Sequence, residues 1–144
     1  MSQARKIETG AVLLRIALGA MFISHALLKY FVFTLPGTAQ FFVSLGLPGA
    51  LGYTTFAAEL IGGVMLVAGV YTRIAAFALL PFVLGATWAH SGNGWVFTAP
   101  NGGWEYPAFL SLAALAVGFL GNGAEGREAL ANTRRGAQVA THAV

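Results

Sequence analysis

The sequence predicts an all-α protein, a bundle of four transmembrane helices with both termini in the cytoplasm. The 144-residue chain is 57% hydrophobic and only 9% charged, whereas an average soluble domain carries about 25% charged residues. Its apolar residues fall into four runs separated by turns rich in Gly, Pro and Asn. Most of its Lys and Arg residues flank those runs on one side, as the topology of a membrane protein requires.

The four apolar runs are long enough, or nearly so, to cross a bilayer, which takes about 17–25 helical residues. We place the spans at residues 10–33, 52–70, 74–90 and 107–120. The last two are short and would cross with little tilt or in a locally thinner membrane. Residues 1–123 are therefore predicted to form one membrane domain, and residues 124–144 a polar cytoplasmic tail with a surface helix over residues 125–135.

The connections between the spans contain turn residues. Residues 34–37 end the first span and residues 46–49 open the second, with a short interfacial helix over residues 39–45 between them. Thr72 is expected to cap the third span. Pro81 lies inside that span and predicts either a kink or the shaping of a cavity.

Small residues recur four positions apart in two of the spans. Ala58 and Gly62 form one such pair, and Ala114 and Gly118 form another. Pairs of this kind let two helix backbones approach closely, so we expect tight packing of the bundle at both places.

The distribution of basic residues predicts the orientation of the bundle. Seven of the eight basic residues are assigned to the cytoplasmic side: Arg5, Lys6, Arg15, Arg73, Arg127, Arg134 and Arg135. Lys29 is the exception. Arg15 and Arg73, at the inner ends of their spans, are interpreted as topology anchors, or alternatively as an inner site for a lipid headgroup.

Glu59 is the most informative residue, because it lies in the middle of an apolar run. A carboxylate at that depth needs a basic partner, a proton or a water-filled cavity. With a rise of about 1.5 Å per residue, His25 and Glu59 both lie about 10–12 Å below the outer surface, and Lys29 lies one turn above them. His25 and Lys29 are four residues apart and share one helix face. We therefore predict a polar site in the outer half of the bundle, with Glu59 as its proton-carrying residue.

Two further polar residues, His90 and Glu105, are expected at the same outer end. Each candidate also has a structural explanation: Lys29 as a side chain that reaches the interface, His25 as a satisfied core histidine, His90 as an interfacial residue. Glu105 would then be a favourable charge at a helix N-terminus. Glu59 would be one half of a buried ion pair with Lys29 or His25.

Several kinds of chemistry are not expected. The chain has no cysteine, which excludes disulfides, thiolate nucleophiles and iron–sulfur ligation within it. The predicted depths of His25 and His90 differ by about two helical turns, which disfavours a shared haem, and no local metal motif occurs. We expect neither metal nor haem, and no nucleic acid as a partner.

The chain resembles the DoxX family. The resemblance is carried in order by LRIALG at residues 14–19, HALLKYF at 25–31, LGLP at 45–48, AELIGG at 58–63 and GVYTR at 69–73. It extends over about residues 11–123 and implies a four-helix protein of the bacterial inner membrane. Members of the family resemble a small subunit linked to thiosulfate:quinone oxidation, or are associated with membrane redox partners.

The resemblance also bears on individual residues. Lys29, Glu59 and Arg73 match charged positions that recur in the family, and His25 and His90 match positions that are often polar or histidine there. A glycine usual in the family is replaced by Ala26 in this chain.

The first functional hypothesis is a membrane subunit of a quinone-linked redox system. His25 and Lys29 would donate hydrogen bonds to the carbonyls of a quinone, and Glu59 would accept or relay a proton. The apolar walls of that site would be Phe22, Phe56 and Trp88, with His90 as a further ligand contact. The implied cofactor is a quinone, and the implied partners are membrane lipid and a redox protein or a second copy of the chain.

Two rival hypotheses stay open from the residues. One is a proton-coupled transporter of a small molecule or lipid, with Glu59 as the switch. The other is a membrane anchor for a soluble enzyme, in which the buried polar residues are purely structural. Whether the chain is itself catalytic is open in all three.

Overall fold

The structure is a computed structural model that describes residues 2–123. Over these residues the secondary structure is entirely helical. The helices are α1 (Gln3–Phe31), α2 (Leu35–Ser44), α3 (Ala50–Ala68), α4 (Thr72–His90) and α5 (Glu105–Leu120). A 3-10 turn, Ser91–Asn93, follows α4. This confirms the predicted all-α fold. The polar tail over residues 124–144, with its predicted surface helix, lies outside the described residues, and the orientation of the termini stays a prediction.

Three of the described helices are long and apolar enough to cross a membrane: α1, α3 and α4 with the turn that follows it. The fourth, α5, is apolar but has 16 residues, slightly fewer than a straight crossing needs. Large hydrophobic side chains cover the outside of the bundle, such as Ile61, Leu112 and Phe119, which are 61%, 65% and 73% exposed. An apolar exterior of this kind fits a protein whose surface faces lipid.

Four helices form a closed ring, since α1 packs on α3, α3 on α4, α4 on α5, and α5 on α1. The short helix α2 lies against α3. Residues from all four helices of the ring fill its interior, with Leu18, Phe22, Leu66, Leu79 and Val117 among the most buried. The interior is thus a continuous apolar core, into which any buried charge must be built with a partner.

All five helices begin earlier than the sequence predicts, α1 by seven residues, α2 by four and the other three by two. The first span starts at Gln3 rather than residue 10, with the Ser2 hydroxyl accepting a hydrogen bond from the backbone N–H of Arg5. The interfacial helix starts at Leu35 rather than residue 39. Thr34 caps it by accepting from the N–H of Gly37, and Pro36 suits the first turn, where no N–H is needed. The segment interpreted as a turn is therefore a helix start.

The expected cap of α4 is wrong. Thr72 is the first residue of α4 rather than its cap, and its hydroxyl is buried without a hydrogen-bond partner in the described part of the chain. Tyr71 stands at the cap position with a positive φ of 47° and makes no side-chain capping bond. The helix runs through Pro81 to His90, and a kink at Pro81 stays a prediction.

The backbones of α1 and α3 approach closely at Gly19 and Gly63. A Cβ atom placed on Gly19 would lie 2.7 Å from the carbonyl oxygen of Gly63, and one on Gly63 would lie 2.9 Å from that of Gly19. The glycines predicted from their spacing also sit in tight contacts, Gly62 against Leu79 and Gly118 against Phe77. Gly62 and Gly118 leave room for a side chain of the neighbouring helix, whereas Gly19 and Gly63 allow the two helix backbones to approach each other.

Candidate functional site

The centre of the candidate site is an ion pair between α1 and α3. The Lys29 ammonium donates a hydrogen bond of 2.7 Å to Oε2 of Glu59. Glu59 is only 8% exposed, and Lys29 lies in the last turn of α1, where a positive charge is favoured by the helix dipole. Of the two partners that the sequence leaves open for Glu59, the structure selects Lys29 for the direct contact.

His25 lies one helical turn from Lys29 on the same face of α1, and in its charged form it would attract the Glu59 carboxylate. Its Nδ1 atom is 2.8 Å from the carbonyl oxygen of Met21. A carbonyl can only accept, so Nδ1 carries the proton and Nε2 is the ring nitrogen available to a ligand. The neutral imidazole therefore offers a hydrogen-bond acceptor and becomes a donor at Nε2 only when it is charged.

Tyr106, in the first turn of α5, is a site residue that the sequence interpretation missed. Its ring stacks on the ring of His25, with the centroids 5.5 Å apart and the planes inclined by 29°. Its hydroxyl is buried and has no hydrogen-bond partner among residues 2–123. An aromatic residue at the outer edge of a span is typical of the interfacial aromatic belt, so its residue type alone does not mark it as part of a site.

The three aromatic residues predicted to line the ligand do not form one wall. Phe22 is part of the buried core, and Phe56 is half-buried and stacks on Tyr30 with the centroids 6.0 Å apart. Both belong to the helices that carry the ion pair. Trp88, by contrast, is 57% exposed on the surface of α4, where it faces away from the interior of the ring.

His90 and Glu105 hold the loop between α4 and α5. The Nδ1 atom of His90 is 3.2 Å from the carbonyl oxygen of Gly102. Oε1 of Glu105 accepts a 2.8 Å hydrogen bond from the backbone N–H of Phe97. The sequence predicted both residues at the outer end of the bundle, and there the structure gives them backbone partners in the loop. The side chains that it does bring together are His25, Lys29 and Glu59, joined by Tyr106.

Arg15 connects the inner end of α1 to the end of α3. Its guanidinium donates hydrogen bonds to the carbonyl oxygens of Leu66 and Val67, at 2.5 and 2.9 Å. These carbonyls belong to the last turn of α3, which carries the negative end of its dipole. The Leu66 carbonyl also accepts a hydrogen bond from the backbone N–H of Gly69, the C-cap residue. Arg15 therefore caps α3 across the bundle, whereas Arg73 is exposed at the start of α4. A topological role for either residue stays a prediction.

The substitution Arg15→Met is expected to lower the free energy of unfolding by up to about 2 kcal/mol, because two carbonyls at a helix end lose their cationic donor. The measurement is unfolding in detergent micelles followed by circular dichroism. Arg5→Met is the matched control, since it removes the same charge from an exposed position on the same helix. Equal losses for the two variants would contradict the capping role.

The cluster offers hydrogen bonding and proton transfer. Among residues 2–123, no group of three or more His, Cys, Asp or Glu side chains is placed to hold a metal ion. The groups present are an ammonium, a carboxylate, one imidazole nitrogen and a phenol, which suit a neutral organic molecule with carbonyl or hydroxyl groups.

The DoxX family model matches residues 10–92, more than half of the chain. This chain belongs to the DoxX family. The match, which confirms the resemblance seen in the sequence, contains Lys29, Glu59 and His25, whereas α5 with Tyr106 lies beyond it. Together with its apolar helices, the match makes this DoxX protein a multi-pass membrane protein.

One similar protein, from Bacillus subtilis (strain 168), carries the name "Putative oxidoreductase CatD". The two sequences are 40% identical over 82 residues, which cover 57% of this DoxX chain and 60% of that protein. The aligned part is thus less than two thirds of the relative. No solved structure matches the chain.

Proposed function

We propose that this DoxX protein is a membrane subunit of a quinone-linked redox system in the bacterial inner membrane, and that it binds a quinone beside Lys29 and Glu59. The observation that carries the proposal is the ion pair itself, with a 2.7 Å contact inside an apolar bundle and His25 next to it. Ionisable residues within membrane helices are costly and are typically functional. The Bacillus relative carries the name "Putative oxidoreductase CatD", and that name favours redox chemistry over the alternatives.

The donor groups fit a carbonyl-bearing ring. The Lys29 ammonium has three N–H donors, of which one goes to Glu59. His25, whose Nδ1 proton is already used, would accept a proton or a hydroxyl hydrogen bond at Nε2. This differs from the donor role expected from the sequence. Tyr106 adds a hydroxyl that lacks a partner in the described range.

A quinone supplies the redox chemistry by taking up two electrons and two protons to give a quinol. The chain itself contains no cysteine, so the electrons would be exchanged with a partner oxidoreductase. Glu59 and His25 would exchange the protons, because each has a state with a proton to give and a state that can accept one. The protein thus positions the ring and moves protons, and the partner completes the reaction.

The experiment is mass spectrometry of organic extracts from the purified protein. We expect quinone to co-purify with the wild type and to fall at least about tenfold in Lys29→Ala and Glu59→Gln, since a loss of about 1.4 kcal/mol in binding already gives a factor of ten. Lys6→Ala, at an exposed position of α1, is the matched control and should retain it. Equal quinone in all four proteins, or none in the wild type, would overturn the proposal.

The anchor hypothesis is favoured by one observation: Lys29 and Glu59 neutralise each other. A pair that only balances its own charges would be dispensable when both members are replaced together. A variant that carries Lys29→Met and Glu59→Gln decides between the two functions, provided that it folds. If the variant still holds its soluble partner enzyme at the membrane as the wild type does, the anchor hypothesis is supported. If it loses bound quinone, the redox subunit is supported.

A further inference from the structure

We propose that a groove between α5 and the loop over residues 91–104 is the binding site for the tail of a prenylated quinone, and that Tyr106 joins this groove to the polar cluster. The inference rests on the proposed function and adds to it the side of the bundle from which the ligand enters. It also assigns a binding role to a residue outside the segment that matches the family.

The groove has a volume of about 430 Å³, within the range of about 300–1,000 Å³ that is usual for small-molecule sites. It is lined mainly by Trp95, Phe97, Glu105, Tyr106, Phe109 and Leu112. Phe109 and Leu112 are each 65% exposed on the outer face of α5. The groove is therefore open sideways, towards the lipid that surrounds the bundle, and a membrane-dissolved molecule can enter without passing through water.

The polarity of the groove selects an amphiphile with an uncharged head. Its walls are apolar and aromatic except at Glu105 and Tyr106, which are adjacent in the first turn of α5. No Lys or Arg is among the residues that line it, and Glu105 places a carboxylate there. A phospholipid phosphate would meet that carboxylate without a cationic partner. A neutral quinone head with a branched hydrocarbon tail has no such conflict.

Tyr106 connects the groove to the ion pair. It lines the groove, and its ring also stacks on that of His25. His25 is one helical turn from Lys29, so a flat ring that stacks near Tyr106 lies next to the donors of the proposed site. The buried Tyr106 hydroxyl has no partner in the described part of the chain. Buried polar groups are normally paired, and a quinone carbonyl would accept a hydrogen bond from the Tyr106 hydroxyl.

The test compares two probes with the same benzoquinone ring, ubiquinone-0 without a tail and ubiquinone-2 with two isoprene units. Their affinities for the purified full-length protein are measured by calorimetry in detergent. Leu112→Trp fills the groove from its exposed side. We expect it to weaken ubiquinone-2 at least tenfold and to change ubiquinone-0 less than twofold. Leu13→Trp is the matched control, since Leu13 is 64% exposed on α1, and should change neither affinity.

Tyr106→Phe keeps the ring and its stacking on His25 but removes the hydroxyl. We expect both probes to bind about three- to tenfold more weakly, as the loss of one hydrogen bond implies. Since this variant does not fill the groove, it tests the role of Tyr106 separately from the placement of the tail.

The outcomes separate this inference from the proposed function. Quinone binding that depends on Lys29 but is unchanged by Leu112→Trp and Tyr106→Phe would overturn the groove and leave the redox proposal standing. Equal losses of both probes in Leu112→Trp would overturn the placement of the tail. Phospholipid that co-purifies with the wild type and is lost from Leu112→Trp would make the groove a lipid site and overturn the inference. No binding of either probe to the wild type would overturn both proposals.

Discussion

Replacing Lys29 with methionine is expected to destabilise the bundle by about 3–5 kcal/mol, the usual cost of removing one partner from a buried ion pair. The remaining carboxylate of Glu59 is 8% exposed and lies in the middle of α3. Without the ammonium at 2.7 Å, it must take up a proton or stay charged in an apolar environment. Both alternatives lower the free energy of unfolding relative to the wild type.

The double variant Lys29→Met with Glu59→Gln is expected to be more stable than Lys29→Met alone, because no charge is then left unpaired. The measurement is a double-mutant cycle of unfolding free energies in detergent. Lys6→Met, at an exposed site on α1, is the control for removing a lysine. If the losses of unfolding free energy in Lys29→Met and Glu59→Gln add up in the double variant, the two side chains do not interact. The ion pair would then not be the centre of the candidate site.

Gly19→Val is expected to cost about 3 kcal/mol, the upper end of the usual penalty for overpacking a core. A Cβ atom at this position would lie 2.7 Å from the carbonyl oxygen of Gly63 and 2.8 Å from the side chain of Val67. The first of these atoms is backbone, so α1 and α3 would have to move apart. The resulting loss should appear as a lower melting temperature in detergent.

Gly10→Val provides a matched control on the same helix. A Cβ atom on Gly10 would meet nothing within 4 Å, and surface substitutions of this kind usually change stability by less than about 0.5 kcal/mol. A Gly19→Val protein as stable as Gly10→Val would show that α1 and α3 do not pack through their glycines.

The polar centre of the site was partly predictable from sequence. A lone acid in an apolar run demands compensation, and the helical rise places His25 and Lys29 near the depth of Glu59. The rise does not give the rotation of one helix about its axis relative to another. The choice of Lys29 as the direct partner, and the use of the His25 Nδ1 proton on Met21, therefore became visible only in the structure.

The outer loop could not be predicted in this way. His90 and Glu105 lie at the expected end of the bundle, but their partners are backbone groups of Gly102 and Phe97. Those groups are positioned by a loop with positive φ angles at Gly94 and Gly102, and a local sequence does not specify how such a loop folds back. Tyr106 was missed for the same reason, since its contact with His25 depends on how α5 packs on α1.

The contacts between α1 and α3 fasten these two helices at three heights. Arg15 donates hydrogen bonds to the end of α3, Gly19 packs against Gly63, and Lys29 forms an ion pair with Glu59. These three contacts span about 21 Å along α1. Contacts at three points along their length oppose both sliding of α1 along α3 and separation of the two helices at either end. We therefore expect an opening of the bundle towards the ion pair to separate α5 from α1, where Tyr106 stacks on His25, rather than α1 from α3.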